Sequence, residues 1–187
     1  MSAPRLTDGR VVVRALEEKD LDRYLGAFAE GEPLLNLVGF EKPPDREAAE
    51  RWFAENWVDP PELSVWEFAI ADAESDEFLG TMMFHSLNWR HRRAEIGAWI
   101  AEHARDRGVG SAAFQLLLDW AFDDLGLERI EITALPENEN VPHIVESFGF
   151  TYEGTMRKRN FERGRRVDLL LWGLLKDERR RPGSTTP

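Results

Sequence analysis

The residues best placed to do chemistry lie in one run, Ile100-Ala-Glu-His-Ala-Arg-Asp-Arg-Gly-Val-Gly-Ser111. A strand-like segment leads into it and a long amphipathic helix leads out. A glycine-containing turn at a helix N-terminus exposes unpaired backbone N–H groups, and the helix dipole adds about half a positive charge there. Arg105 and Arg107 would bring guanidinium groups to the same anion, where arginine makes forked hydrogen bonds. Arg105, Arg107, Gly108, Val109, Gly110 and Ser111 therefore read as a phosphate or pyrophosphate cradle. The plain alternative is a strand-to-helix turn with surface arginines around it. A Walker A loop is excluded because it needs a Lys, and a dinucleotide fingerprint because its third glycine position is Ala113.

The elements that must hold this loop follow from periodicity. Arg10 to Leu16 is short and β-branched, a first strand. Glu18 to Glu30 carries Leu21, Leu25 and Phe28 at helical spacing. Prolines 43, 44, 60 and 61 bracket a second helix, Asp45 to Trp57, with Asp45 as N-cap and Ala48, Trp52 and Phe53 facing inward. Trp66–Ile70 and Phe78–Phe84 read as strands joined by an acidic turn, and Ala94–Ile100 as a third, so the middle of the chain is an antiparallel meander. The helix after Gly110 runs to about Leu125, with Phe114, Leu117, Leu118, Ala121, Phe122 and Leu125 on one stripe and Gly126 as its stop. A strand Arg129–Leu135, a short helix Val141–Phe148, a strand beginning at Phe150 and an apolar strand Val167–Leu175 complete one α/β domain over residues 1–176. Residues 177–187 form a polar tail expected to be disordered.

In this setting Arg105-x-x-Gly-x-Gly110 at a helix head, followed by Asn138 and Phe148-Gly-Phe150, resembles the GNAT superfamily of acyl-CoA-dependent N-acyltransferases. Trp120-Ala-Phe122, Leu127-Glu-Arg-Ile130, Glu153-Gly154 and Asp168 resemble its branch of ribosomal-protein N-terminal alanine and serine acetyltransferases. The resemblance implies a mixed, mostly antiparallel sheet of about seven strands flanked by about four helices. It also implies acetyl-CoA as co-substrate, with its pantetheine arm along Trp99 and Ile100 where that strand splays from Arg129–Leu135. Direct transfer to a primary amine, a protein N-terminus or a small amine, follows from the same likeness.

The likeness assigns Glu95 as general base; the plain alternative is a cross-strand partner for Arg92 or Arg93. It assigns Asn138 to the pantetheine arm; the alternative is a turn or cap asparagine. The chain departs from its relatives where an acid is expected. Val141 stands where the branch usually carries Ser, Val145 where other members carry Tyr, and Asn160 where some relatives carry Glu. His143 and Tyr152 are the substitutes nearby. These departures keep open a non-catalytic acyl-CoA-binding module, and acetylation of an amine drug or toxin is a further alternative.

The chain has 187 residues, a formal charge of −11 and no cysteine. The acidity argues against nucleic acid as a partner and favours cationic amines. The missing cysteines exclude a thiolate nucleophile and a disulfide framework. The four histidines lack zinc-site spacing, so no metal is expected, and no apolar run reaches the ~20 residues that span a bilayer. A cytoplasmic location is expected. The final apolar strand is a candidate homodimer contact. Trp57, Trp66 and Trp89 are candidates for an acceptor groove. Arg157-Lys-Arg159 with Arg163, Arg165 and Arg166 form a basic hairpin, either solvated or facing an acidic segment or the CoA 3′-phosphate.

Overall fold

Strands rich in Val, Ile, Phe and Trp, spaced by Gly and Asp turns, pair into one eight-stranded sheet. The computed structural model describes residues 4–28, 43–55, 65–162 and 164–180. The strands are β1 (Leu6–Thr7), β2 (Val11–Ala15), β3 (Trp66–Asp72), β4 (Phe78–Asn88), β5 (Arg93–Ile100), β6 (Arg129–Ala134), β7 (Thr151–Glu162) and β8 (Arg165–Leu175). The helices are α1 (Leu21–Ala27), α2 (Arg46–Glu55), α3 (Val109–Asp123) and α4 (Asn140–Ser147). Sheet order is β1-β2-β3-β4-β5-β6-β8-β7, antiparallel throughout except for β5 and β6. That parallel pair is joined through α3, as a parallel connection requires.

Alternation divides the sheet into two faces. One packs on α3, whose buried Trp120 meets Trp66, Phe68 and Phe84 at ring-centroid distances of 5.5, 5.8 and 6.2 Å. Phe114 of the same helix meets Phe148 at 4.8 Å. Each such burial is worth about 1.5–3 kcal/mol, and this stripe holds the helix to the sheet. The opposite face is covered by α1 and α2, with Tyr24 and Phe28 packed near Ala69, Met83 and Trp99.

The expected meander and strand-helix-strand crossover are present, with several differences. The two-residue β1 raises the strand count to eight; it is too short to carry a pattern. The first helix is preceded by a single 3-10 turn, Glu18–Asp20, that places Asp20 against Arg14. This buried pair bonds at 2.6 and 2.9 Å. The second helix begins after Asp45, whose Oδ1 accepts the Ala48 N–H at 2.9 Å. Trp57, the groove candidate next to the prolines, lies outside the described residues. Trp66 is fully buried in the aromatic cluster, with Trp89 against it at 6.5 Å, so the expectation that it lines a groove is corrected. The apolar strand at the chain's end, β8, is interior, sandwiched between β6 and β7, which explains its composition. The edge there is β7, twelve residues long and mostly exposed. Arg157, Lys158, Arg159, Arg165 and Arg166 stand exposed on this hairpin.

Candidate active site

The site is built where β5 and β6 part. They pair at Arg93 with Arg129, Ala94 with Ile130 and Glu95 with Glu131, and not beyond. From Ile96 to Ile100, β5 stays paired with β4, while Ile132 to Ala134 stay with β8. A wedge therefore opens, and one edge of β5 turns its backbone N–H and C=O groups toward it; such groups need partners. Gly80 on β4 permits the close pairing behind this stretch, since a Cβ there would lie 2.4 Å from the Trp99 carbonyl oxygen.

At the wide end of the wedge stands the glycine loop. Gly108, at φ +73°, is the N-cap residue of α3, a left-handed conformation that suits glycine. Helix geometry leaves the first amides of α3, those of Val109, Gly110 and Ser111, without intrahelical acceptors. Gly110 lets α3 settle on the end of β5, because a Cβ would come 3.3 Å from Ile100 Cγ1. A pocket on the β2–β4 side of this loop is lined by Arg107, Gly108, Val109 and Ala112 together with Arg10, Val11, Asp72 and Leu79. The loop's composition thus fits an anionic group at the helix head. Arg105 is arranged differently from its neighbour: its Nε donates to the Ile100 carbonyl at 2.9 Å and fastens the end of β5. The Trp99 side chain is 5% exposed and packs toward α1, so only its backbone borders the wedge.

Glu95 sits at the apex, the last residue of β5 paired with β6, half-buried. Thr133 Oγ1, on the diverging β6, donates to Glu95 Oε1 in a short hydrogen bond. The nearby arginines go elsewhere: Arg92 to Glu128 at 2.6 Å and Arg93 to Glu131 at 3.0 Å. The cross-strand ion pair expected as the plain alternative for Glu95 does not form. Asn138 lies exposed past the end of β6, its backbone N–H bonded to Leu135 O at 2.9 Å. Its side chain does not cap α4. His143 is exposed on the first turn of α4, with no hydrogen bond to Glu95 among the described residues. Val145 is 2% exposed and Val141 packs against the core, so neither position offers an acid. Asn160 bonds Glu162, and Tyr152 bonds Thr155.

Two residues on the same face carry perturbed chemistry that the sequence reading passed over. Glu67 on β3 is fully buried and accepts from Tyr24 Oη at 3.1 Å, Trp52 Nε1 at 2.6 Å and Thr81 Oγ1 at 2.5 Å. Burial pushes its carboxyl up to about 7, against the lowering effect of those three donors. It ties α1 and α2 to the sheet. The available signal was one carboxylate inside the apolar run Trp66-Glu-Phe-Ala-Ile70. His85 on β4 is the register partner of Glu95, and burial pushes its imidazole down to about 4. Among the described residues no three His, Asp or Glu side chains are grouped to hold a metal, and no helix is long and apolar enough to cross a membrane.

Comparison with known proteins converges on the same machinery. The family described as acetyltransferase (GNAT) domain matches residues 10–151. The protein named "Putative ribosomal N-acetyltransferase YdaF" of Bacillus subtilis (strain 168) is 30% identical over 171 residues, 90% of this chain and 92% of YdaF. The N-acetyltransferase p20 of Bacillus licheniformis, named as uncharacterized, is 36% identical over 111 residues, 59% of this chain and 62% of p20. A crystal structure described as a probable acetyltransferase superposes with TM-score 0.76 at 27% identity, covering 94% of this chain and 98% of the other. The Vibrio cholerae spermidine N-acetyltransferase in complex with CoA and spermine shares the fold, with TM-score 0.76 at 24% identity over 91% of this chain and 98% of that one. With the wedge, the glycine loop and the family match in agreement, the chain belongs to the GNAT family and is an acetyl-CoA-dependent N-acetyltransferase.

Proposed function

We propose that this enzyme transfers acetyl from acetyl-CoA directly to a primary amine, with a protein N-terminal α-amine as the acceptor and Glu95 as the base. The observation that carries the reading is the wedge that ends on Glu95, with Thr133 holding the carboxylate from the opposite strand. The pyrophosphate would sit at Gly108 to Ser111 beside Arg107, and the pantetheine arm along the open edge of β5 from Ile96 to Ile100, with Asn138 at its far side. Backbone N–H groups of that edge would polarise the thioester carbonyl.

The acceptor arrives as an ammonium. Glu95 takes one proton, the neutral nitrogen attacks the carbonyl carbon, and the C–S bond breaks. With Val141 and Val145 at the positions where relatives carry an acid, the second proton passes from the attacking nitrogen to the departing sulfur. The products are the amide, CoA thiol and one proton released to solvent. No acyl-enzyme on cysteine is available to a chain without cysteine.

The protein N-terminus is favoured by the likeness to YdaF over nearly the whole chain. A small polyamine is the second reading, favoured by the spermidine N(1)-acetyltransferase of Vibrio cholerae, 26% identical over 163 residues, 87% of this chain. Thiol release from acetyl-CoA with N-terminal peptides beginning Ala or Ser, spermidine and simple amines separates the two. Turnover on the peptides is expected; turnover on spermidine alone would establish the second reading, and CoA binding without any turnover would overturn both.

A further inference from the structure

His85 has no part in the chemistry above, yet it stands directly beside it. In the β4–β5 ladder its Cα partner is Glu95, so both side chains project from the same face, with Cβ atoms about 4.5–5.5 Å apart. The ladder breaks immediately afterwards: Ser86 adopts φ +49° and pairing resumes only at Asn88 with Arg93. This irregularity ends the regular strand at His85 and leaves its ring half-buried at the rim of the face that carries Glu95. Among the described residues neither nitrogen of the ring has a hydrogen-bond partner, and the Glu95 carboxylate is bonded on its other side by Thr133.

Among the described residues the charged neighbours are these: across β5, Arg93 is bonded to Glu131 at 3.0 Å, and Glu95 stands opposite His85 in the ladder. From β3, Glu67 lies diagonally in the ladder, opposite Met83, and is occupied by Tyr24, Trp52 and Thr81. On β4 itself the preceding residue of this face is Met83, buried in the core under α1.

We propose that His85 is the proton-relay residue of this site: it receives from Glu95 the proton taken from the acceptor ammonium and passes it to solvent, so that His85, Glu95 and Thr133 form one acid–base unit across three strands. The inference rests on Glu95 being the base. Thr133, on β6, bonds one Glu95 carboxylate oxygen, and His85 is the register neighbour of Glu95 on β4, the strand on the other side of β5. The transfer is balanced: the proton leaving the ammonium nitrogen resides on Glu95 Oε, then on an imidazole nitrogen, then on water, and the carboxylate is restored before the next acceptor binds. Burial lowers the imidazole to about 4, so the ring is neutral at neutral pH and has a nitrogen lone pair able to accept a proton.

The test has two arms. In steady-state assays at saturating acetyl-CoA, His85→Gln should lower kcat about 10- to 100-fold, with KM for acetyl-CoA within about twofold, and added imidazole should restore part of the rate to His85→Ala. The double variant with Glu95→Gln should be no slower than Glu95→Gln alone, as residues acting as one unit behave. A kcat within twofold of wild type for His85→Gln, or multiplicative losses in the double variant, would overturn the relay. The second arm needs no turnover: NMR titration of the His85 ring in the intact protein should show a pKa below 6.5 that falls further in Glu95→Gln. A ring that titrates identically in both proteins would overturn the pairing, even where His85 variants fold poorly. Absence of acetyl transfer by the wild-type enzyme to every amine would instead count against the proposed function, leaving the NMR arm to decide the pairing.

Discussion

The two faces of the sheet are built from alternate residues of the same strands, and they differ in kind. Under α3 the face is dry and aromatic, with Trp66, Phe68, Phe84 and Trp120 in mutual contact. Under α1 and α2 the same strands present Arg14, Glu67, Thr81, His85, Glu95 and, on β6, Thr133. The first face fixes strand positions through packing that tolerates little change; the second uses that fixed frame to hold polar groups in defined pairs. The proposed acid–base groups all lie on this second face, so the two faces should respond differently to substitution.

The largest loss is expected on the dry face. Trp120→Ala removes an indole that packs against three other rings and should destabilise the fold by about 3–5 kcal/mol in denaturant unfolding. A loss below 1 kcal/mol would mean that this face does not carry the frame. On the polar face the expected signature is pH dependence. Glu67 has a folded pKa raised by burial to about 7, so the folded state binds more protons than the unfolded state between about 4.5 and 7. Stability should therefore be highest at the acid side of that window for this group, fall as pH rises through it, and level off above. The slope is on the order of 3 kcal/mol in total, and Glu67→Gln should abolish it. An identical slope in that variant would assign the pH dependence to other groups.

Thr133→Val is expected to leave stability nearly unchanged and to lower kcat/KM by about 10-fold, because the Glu95 carboxylate loses the hydroxyl that orients it, and Thr133→Ser should restore most of the rate. An unchanged kcat/KM in Thr133→Val would detach Thr133 from the chemistry. The smallest effect expected is electrostatic. The chain carries −11 while the glycine loop brings Arg105 and Arg107 together, so on the proposed binding mode added salt should weaken binding of a cationic acceptor more than binding of CoA through short-range contacts. Greater salt sensitivity for CoA would contradict this division of the field.

The dry face was largely legible from sequence, because the α3 stripe and the β-branched runs are local patterns. The glycine loop was legible for the same reason: a left-handed turn and an open helix end lie within four consecutive residues. The polar face was not. Whether the one carboxylate of Trp66-Glu-Phe-Ala-Ile70 is exposed or buried depends on α1 and α2 bringing Tyr24 and Trp52 to it. The juxtaposition of His85 with Glu95 depends on the β4–β5 register, and the irregularity just beyond the pair, between His85 and Asn88, hides that register from periodicity. Arg105 looked equivalent to Arg107, but the return of the chain past Ile100 gives the two different partners. The basic hairpin was visible as a charge run, while the extent of β7 was not, since an exposed edge strand carries little apolar alternation.

The central claim, that acetyl transfer occurs at the β5–β6 wedge with Glu95 as base, is tested most directly by the pH dependence of kcat/KM for wild type and Glu95→Gln on the same N-terminal peptide. The account predicts a 10²- to 10⁴-fold loss and disappearance of the acid limb. A Glu95→Gln profile that superimposes on that of wild type would contradict it.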